Sequence, residues 1–266
     1  FRDLRALPAS IRNDEVTLTD KARTLLLRQH VGGRGEAELF SSPDRSIRSY
    51  LREWGFSESY IRNFVAPFYG GITLDRSLST SKRVFEYTFK SLSEGRIAVP
   101  AAGIEAVPEQ LADRAEAAGA SIRCGDRVES ITDRGGGVTV ETASGTVDAD
   151  AVVVATDPKE AARLTGVDAI PTEARGCVTQ YYRLPEGSAP TTRRKLLLNA
   201  GDPSPNTVVP MSEVGTEYAP EGKALFNATF LDDAARDRSA ESLAEETRLT
   251  LESWYPDREF SALDPV

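Results

Sequence analysis

Histidine and cysteine are nearly absent from this sequence, which contains one histidine, His30, and two cysteines, Cys124 and Cys177. A single histidine excludes a histidine-rich metal site and argues against a serine–histidine–aspartate triad. Two thiols so far apart in the sequence match neither a disulfide framework nor a metal-binding motif. Because both cysteines lie in apolar segments, we predict buried free thiols in a reducing cytoplasm. We expect a structural role for His30, which stands at the end of a predicted helix.

Long apolar runs and net positive charge are also missing. The strongest apolar run, residues 151–155, has the length of a buried strand, whereas a transmembrane helix needs about 20 apolar residues. The N-terminus shows no basic-then-apolar signal pattern. The formal net charge of −9 argues against a nucleic-acid partner, because phosphate binding needs basic patches. We therefore expect a cytoplasmic protein without a transmembrane segment.

The chain does have enough apolar residues for a sizeable core. Its 266 residues are 40% hydrophobic, which allows one large domain or two modest ones. Acidic residues outnumber basic ones, and most of the basic residues are arginine. Such a composition is typical of a salt-adapted protein and also of a GC-rich genome, and both explanations stay open. Because the sequence begins with Phe1 rather than methionine, we expect an internal part of a longer protein.

Periodicity and turn residues predict helices first and strands later. Helices are predicted at residues 19–30, 46–54, 80–94, 104–118, 158–164 and 241–254, with a further helix that starts at Ser57 and ends at Pro67. Strands are predicted at residues 121–124, 127–133, 138–142, 151–155, 178–184, 195–199, 207–210 and 224–230. Three consecutive glycines, Gly135 to Gly137, predict a hairpin turn.

The run at residues 151–155 is the most informative strand. A continuous stretch of apolar side chains is typical of a strand that is covered on both faces. The small residues that follow it recur in dinucleotide-binding domains, where ligands lie at the carboxyl ends of strands. A buried strand and its turn explain the same pattern without a ligand. The glycine loop that holds phosphates between a strand and a helix is absent, and Gly135 to Gly137 do not replace it.

Several segments, taken in order, resemble those of one family. They are residues 64–75 (FVAPFYGGITLD), 94–104 (EGRIAVPAAGI), 128–131 (VESI), 138–140 (VTV), 150–156 (DAVVVAT), 218–225 (YAPEGKAL) and 251–256 (LESWYP). Together they resemble the phytoene desaturase and flavin amine oxidase superfamily of FAD-dependent oxidoreductases. Ala102 stands where the family has the first of two paired glycines, and Ile104 where it has a methionine. The match spans nearly the whole chain.

This resemblance implies site residues for FAD and for a substrate. For FAD it implies Val128 at the adenine, Ala155, Thr156 and Asp157 along the adenosine, and Pro100 and Gly103 near the boundary between flavin and substrate. Toward an apolar substrate cavity it implies Phe64, Pro67, Phe68, Tyr69, Gly70 and Gly71. Ordinary core packing explains the aromatic residues of this set equally well. Tyr181 and Tyr182 would point to opposite faces of a strand, so that one of them could reach the cavity.

The resemblance also implies a mixed α/β and α+β fold. A partial Rossmann-like FAD-binding domain would occupy residues 96–160. A mixed α+β substrate-binding domain would combine a helical part, residues 1–95, with a sheet and helix part, residues 161–266. The family's dinucleotide loop would precede this chain and its C-terminal flavin segment would follow it, so we expect the chain alone to bind FAD weakly or not at all. A second copy could cover the incomplete sheet edge and form a homodimer.

For the full-length protein we expect an FAD-dependent dehydrogenase or desaturase. Its substrate would be an apolar small molecule such as an isoprenoid or carotenoid precursor, with protoporphyrinogen or amine oxidation as alternatives, and it could contact membranes peripherally. Because the flavin would carry the chemistry, we assign no catalytic side chain and no metal ligand. Two other interpretations stay open. One is a non-catalytic domain that binds an apolar ligand, and the other is a structural or interaction domain without an apolar cleft.

Overall fold

A computed structural model of the chain describes residues 16–95, 97–201 and 204–266. The chain divides into two compact units, one drawn from Phe1–Gly103 and Gly176–Val266, the other being Ile104–Arg175. Residues 1–15 of the predicted helical part, and Arg96 in one of the matched segments, lie outside the described residues. The predicted domain boundaries at residues 95 and 160 stay a prediction.

The first unit begins with helices, most of them where the sequence predicts them. They are α1 (Leu18–Gly32), α2 (Glu36–Ser41), α3 (Ile47–Glu53), α4 (Glu58–Tyr60), α5 (Ala66–Thr73) and α6 (Lys82–Glu94). The side chains of Thr17, Ser46, Ser57 and Ser81 accept backbone N–H groups at the starts of α1, α3, α4 and α6. Such caps satisfy donors that have no partner inside the helix, and each typically contributes about 1 kcal/mol.

The predicted helix end at Pro67 is wrong. A π-helical segment, Ile61–Val65, joins α4 directly to α5, and Pro67 lies in the first turn of α5. Proline fits this continuous helical backbone because its ring fixes φ near about −65°. The helix instead ends at Thr73, and Leu74 follows with a left-handed backbone (φ 55°).

The apolar faces of these helices meet in one core. Its fully buried members include Leu27, Val31, Leu39, Ile47, Leu51, Ile61, Leu78 and Phe85. The carboxylate of Glu86 lies against this core and is 0% exposed. It accepts hydrogen bonds from the Tyr50 hydroxyl at 2.7 Å and from Lys82 Nζ at 3.0 Å. Arg34 Nη1 lies 3.3 Å from it, so the buried charge is paired as burial requires.

The second unit is small and open. It contains α7 (Ala106–Ala117), β1 (Val128–Asp133), β2 (Val138–Thr142), β3 (Gly145–Ala149) and α8 (Pro158–Thr165). The strands form an antiparallel sheet in the order β1-β2-β3, with Asp133 opposite Val138. The predicted hairpin turn is confirmed, since Gly135 takes a φ of 77° and Arg134 N donates to Gly137 O. No residue of α7 or α8 is buried.

The buried strand predicted at residues 151–155 is wrong for the described part of the chain. These residues form no strand and pair with no other strand, and the Val153 side chain is 90% exposed. Residues 121–124, also predicted as a strand, take no regular structure. A strand needs neighbours that pair with its backbone and cover its faces. Within the described ranges, no segment supplies such a neighbour to either run.

The prediction of two free cysteines is confirmed, but the prediction that they are buried is wrong. Cys124 and Cys177 are both free and exposed. Cys124 belongs to the run at 121–124 that forms no strand, and Cys177 lies just before the first residue of the next strand. Burial of either thiol would have required an apolar layer that the described residues do not place over it.

The first unit continues with a five-stranded antiparallel sheet. Its strands are β4 (Val178–Pro185), β5 (Leu197–Leu198), β6 (Thr207–Pro210), β7 (Lys223–Phe230) and β8 (Asp264–Pro265), in the order β5-β6-β7-β4-β8. The short helix α9 (Met211–Val214) precedes β7, and α10 (Ala240–Trp254) follows it. Alternate residues of β7, from Ala224 to Phe230, are buried in a core with Leu243 and Leu251 of α10. The predicted mixed fold of helices and sheets is confirmed.

No helix among the described residues is both long enough and apolar enough to span a membrane.

Candidate functional site

The joint between α4 and α5 lines up a row of aromatic side chains. A π turn, closed by the bond from Ala66 N to Ile61 O, interrupts the α-helical spacing. The rings of Tyr60 and Phe64 lie 5.4 Å apart, and those of Phe64 and Phe68 stack 5.8 Å apart. π turns inside helices often occur at functional sites. The surface formed by this aromatic row is therefore a candidate functional site.

That row borders a cavity of about 580 Å³ within the helical part of the first unit. We call it the aromatic cavity. Its apolar lining includes Leu25, Leu27, Phe56, Tyr60, Phe64, Phe68, Tyr69, Phe85, Phe89 and Leu92, and its polar lining Lys21, Thr24, Arg28 and Ser93. The volume lies in the range of small-molecule sites, about 300–1,000 Å³, and such sites are mostly apolar. All of its lining residues fall between residues 16 and 97.

Three of the six predicted substrate residues line the aromatic cavity: Phe64, Phe68 and Tyr69. Phe64 is 38% exposed and Tyr69 is 3% exposed, so they lie at different depths. The ring of Tyr69 lies 4.6 Å from that of Phe85 and 5.4 Å from that of Phe68. The structure therefore brings these aromatic residues together around one space.

The other three predicted substrate residues lie away from the aromatic cavity. The carbonyl of Pro67 accepts a hydrogen bond from Asn206 Nδ2 at 3.0 Å. A Cβ added at Gly70 would come within 2.7 Å of Arg76 Cγ, and one at Gly71 within 3.3 Å of Asn206 Nδ2. These glycines allow α5 to pack closely against its neighbours. A role for the three residues in substrate binding stays a prediction.

The predicted boundary residues, Pro100 and Gly103, form a tight turn in the first unit. The carbonyl of Pro100 accepts hydrogen bonds from Gly103 N at 3.1 Å and from the Tyr218 hydroxyl. Gly103 has a φ of 89°, which favours glycine, and a Cβ there would meet open space. The turn is accessible, but it does not line the aromatic cavity.

The predicted adenosine residues belong to the second unit. Val128 begins β1, and its carbonyl accepts a hydrogen bond from Arg163 Nη2 at 3.2 Å. Ala155 and Thr156 are exposed. Asp157 caps α8, with its carboxylate accepting from Lys159 N at 3.0 Å and from Glu160 N at 3.2 Å.

These residues fit a dinucleotide only in part. The carbonyl of Val128 keeps one lone pair, and the backbone at Ala155 and Thr156 is open, as contact with an adenosine would require. A pyrophosphate needs a glycine loop that leads into a helix. The described residues of the second unit contain no such loop between a strand and a helix. Whether these residues contact an adenosine, and the expectation that the chain alone binds FAD weakly or not at all, stay predictions.

Two further candidates are settled by burial and packing. Tyr182 is fully buried, and burial raises the pKa of its hydroxyl to about 12, whereas Tyr181 is 41% exposed. Of the two, Tyr181 is thus the residue that a ligand could reach. His30 packs edge-on against Trp54 with ring centroids 5.4 Å apart, as a structural role predicts. No group of side chains that could hold a metal ion is found among the described residues.

Several cavity residues have no recognisable signal in the sequence. The cavity is lined by Thr24, Leu25 and Arg28 of α1. Their sequence pattern predicts only an ordinary amphipathic helix. The π turn was also missed, because it interrupts the spacing on which helix prediction relies. The family resemblance of residues 64–75 was the signal that pointed to Phe64, Phe68 and Tyr69.

The fold of the chain is similar to that of FAD-dependent oxidoreductases. The whole chain, residues 1–266, matches the family model described as flavin containing amine oxidoreductase. The chain therefore belongs to this family. A search of curated proteins found no match.

Solved structures of FAD-dependent and related oxidoreductases resemble the chain in fold. An oxidoreductase from Methanosarcina mazei superimposes with a TM-score of 0.70 at 18% identity, covering 99% of this chain and 62% of its own. A protein assigned as a protoporphyrinogen oxidase, from Exiguobacterium sp. 255-15, gives 0.64 at 17% identity, with coverages of 95% and 60%. Putrescine oxidase bound to putrescine gives 0.64 at 16% identity, with coverages of 94% and 61%. The chain thus spans about three fifths of the length of these relatives.

Proposed function

We propose that this chain is the substrate-binding section, with part of the cofactor-binding section, of an FAD-dependent dehydrogenase or desaturase that acts on an apolar substrate. An isoprenoid or carotenoid precursor is the proposed substrate class. The observation that carries the substrate proposal is the aromatic cavity, whose lining is dominated by aromatic and aliphatic side chains. Membership of the flavin family supports the redox chemistry.

When bound, FAD would supply the hydride-accepting chemistry of such an enzyme. The residues of this chain would bind and orient the substrate and keep water away from it. Each buried methylene of a ligand contributes about 0.8 kcal/mol, so an apolar cavity of this size can bind a hydrocarbon chain without charged contacts. Val128, Ala155, Thr156, Asp157, Pro100 and Gly103 stay the proposed FAD contacts. A cytoplasmic location with peripheral membrane contact belongs to the same proposal.

The main alternative is an amine or protoporphyrinogen oxidase, and structures named as each of these resemble the chain in fold. An amine is a cation, and a buried cation needs a carboxylate or other compensating partner. The charged residues that line the aromatic cavity in the described part of the chain are Lys21 and Arg28, both basic. This cavity therefore favours a neutral substrate over an amine.

Flavin absorbance tests the proposal directly. The full-length protein is purified with FAD, and the loss of the oxidised-flavin band is followed without oxygen after adding a carotenoid precursor or putrescine. We expect bleaching by the apolar compound. The variant Phe68→Trp should fill part of the aromatic cavity and slow bleaching while the flavin stays bound.

Phe40→Trp is the matched control, because Phe40 is 46% exposed and does not line the cavity. Bleaching by putrescine alone would favour the amine oxidase. Protein that stays colourless after FAD has been offered would favour a non-catalytic module that binds an apolar ligand.

A further inference from the structure

Arg28 is a half-buried cation that lines the aromatic cavity and contacts no carboxylate in the described part of the chain. Its Nη2 donates a hydrogen bond to the carbonyl of Ser93, another lining residue, at 3.1 Å. Within the described residues, this is the one hydrogen bond that its guanidinium makes. A guanidinium carries five N–H donors in a planar fork. Most of the donors of Arg28 are therefore open to a further acceptor.

Arg34, which follows α1, shows how a half-buried arginine is compensated elsewhere in the same unit. Its guanidinium lies 2.9 Å from a carboxylate oxygen of Glu38 and 3.3 Å from one of Glu86. Arg28 has no such partner, and Glu94, which follows Ser93, does not line the cavity. An arginine that is partly withdrawn from water without a carboxylate is exceptional, because charged side chains are normally paired when they are buried.

The open end of the aromatic cavity lies on the side of Arg28. This arginine bonds to the last turn of α6, and Leu92 and Ile97, which line the cavity near that turn, are 36% and 81% exposed. Tyr69 and Phe85, in contrast, are 3% and 2% exposed. A ligand can therefore place its apolar part against the deep aromatic side chains while its other end stays near Arg28 and the solvent.

The charge of the lining decides which kind of polar end fits. Lys21 and Arg28, the charged lining residues in the described part of the chain, are both basic and would attract an anion. A carboxylate is planar, carries one negative charge and accepts two parallel N–H donors from a single guanidinium. A phosphate monoester carries about two negative charges at neutral pH, which one arginine does not balance. The carboxylate is thus the better match to Arg28.

We propose that the ligand of the aromatic cavity carries a carboxylate at one end, which Arg28 binds at the mouth while the hydrocarbon part lies among the aromatic side chains. This inference rests on the proposed function, because it takes the cavity as a substrate site. It narrows the substrate class to long-chain monocarboxylic acids, such as isoprenoid or fatty acids. Such a molecule is neutral along the part that enters the cavity and charged only at the solvent end. Arg28 is then a positioning residue that fixes which end of the substrate enters.

The test compares decanoate with decanamide, which has nearly the same shape but a neutral end group. Equilibrium dialysis near neutral pH measures the binding of each probe to the 266-residue chain and to its Arg28→Met variant, in which an apolar stem is kept. We expect the substitution to weaken decanoate binding by about 10-fold, as for the loss of a hydrogen bond to a charged group. Decanamide binding should change by less than about 2-fold, since its contacts with the apolar lining are kept.

Two further variants separate the specific contact from the general effect of charge. Arg62→Met is the matched control, because Arg62 is exposed and does not line the cavity, and it should bind both probes as the wild type does. Arg28→Lys keeps the charge but loses the planar fork, so it should recover part of the decanoate affinity. If Arg62→Met weakens decanoate binding as much as Arg28→Met does, net charge explains the effect and the inference is overturned.

The binding outcomes distinguish this inference from the proposed function. If both probes bind and Arg28→Met weakens neither of them, or both to the same extent, the carboxylate contact is refuted while the apolar cavity stands. A wild-type chain that binds decanamide more tightly than decanoate would refute it as well. If neither probe binds to the wild-type chain, the cavity is not a site for apolar ligands, and both proposals fail.

Discussion

Arg76 Nη1 donates a hydrogen bond to Asn206 Oδ1 at 3.0 Å and so joins the turn after α5 to the residue before β6. Asn206 is fully buried, and its Nδ2 donates to the carbonyl of Pro67 at 3.0 Å. The same guanidinium nitrogen of Arg76 donates to Asn199 O at 2.9 Å. One asparagine side chain thus connects the helical part of the first unit with its sheet.

We predict that Asn206→Ala destabilises the first unit by about 1–3 kcal/mol, because it removes the two hydrogen bonds that this buried side chain makes, with the carbonyl of Pro67 and with Arg76 Nη1. Chemical denaturation followed by circular dichroism measures the change. Gln29→Ala, at an exposed position of α1, serves as the control and should shift stability by less than about 0.5 kcal/mol. Equal stability of Asn206→Ala and the control would show that this connection is not structural.

The buried carboxylate of Glu86 gives a second prediction. Glu86→Gln removes the charge that compensates Lys82, which is 6% exposed, and it weakens the bond from the Tyr50 hydroxyl. Breaking a buried ion pair on one side typically costs about 3–5 kcal/mol, whereas removing both charges costs much less. We therefore expect Glu86→Gln to be strongly destabilising and the double variant Lys82→Met/Glu86→Gln to recover part of the loss.

The control for the Glu86→Gln and Lys82→Met/Glu86→Gln variants is Glu38→Gln. Glu38 contacts Arg34 at 2.9 Å, but its side chain is 61% exposed, so the change should cost about 1 kcal/mol or less. A double variant that is no more stable than Glu86→Gln would contradict the pairing between Lys82 and Glu86. Urea titrations measure the unfolding free energies of the wild type and of these three variants.

The fold could be predicted from the sequence where the interactions are local. Helices α1 and α6 follow from apolar spacing and from a Thr or Ser cap, and β7 follows from alternation. The prediction of a buried strand at residues 151–155 was wrong because the neighbours of a strand, and not its own side chains, decide whether it is buried. Val153 has the composition of a covered strand and is nevertheless 90% exposed.

The candidate site was predicted in part for the same reason. Phe64 and Phe68 could be found, since residues four apart on a helix share a face. Tyr69 was predicted from the family resemblance alone, because the π turn between α4 and α5 changes which residues face the cavity and the local spacing does not show it. The contribution of Thr24 and Arg28 depends on the packing of α1 against that joint, which no local pattern encodes.

The exposed cysteines give a third prediction. Cys124 and Cys177 are both free and exposed, so both thiols should react with a disulfide reagent in the native protein at rates close to those in the denatured protein. The single variants Cys124→Ser and Cys177→Ser should each lose one reactive thiol and keep the melting temperature of the wild type. A thiol that reacts only after denaturation would show that its residue is covered in solution.

Asp20 links α1 to α4, two walls of the aromatic cavity, and gives a prediction about pH. Its carboxylate is fully buried and accepts hydrogen bonds from Thr17 Oγ1 at 2.6 Å and from Ser57 N and Oγ at 2.9 and 2.7 Å. Burial alone would raise the pKa of Asp20, but the hydrogen bonds from Thr17 and Ser57 outweigh it and hold the pKa below the ordinary value of 3.8.

A folded-state pKa below the unfolded one means that the unfolded chain binds the proton more readily. The stabilisation by Asp20 is therefore fully present above about pH 4 and is lost as the pH falls below that value. Asp20→Asn should destabilise the chain at pH 7, and its difference from the wild type should shrink steadily as the pH is lowered toward 2. Unfolding free energies measured across this range test the sign. Asp257→Asn, at an exposed position, is the control, and its unfolding free energy should differ from that of the wild type by the same amount at every pH. If the difference in unfolding free energy between Asp20→Asn and the wild type grows as the pH falls, the lowered pKa of Asp20 is contradicted.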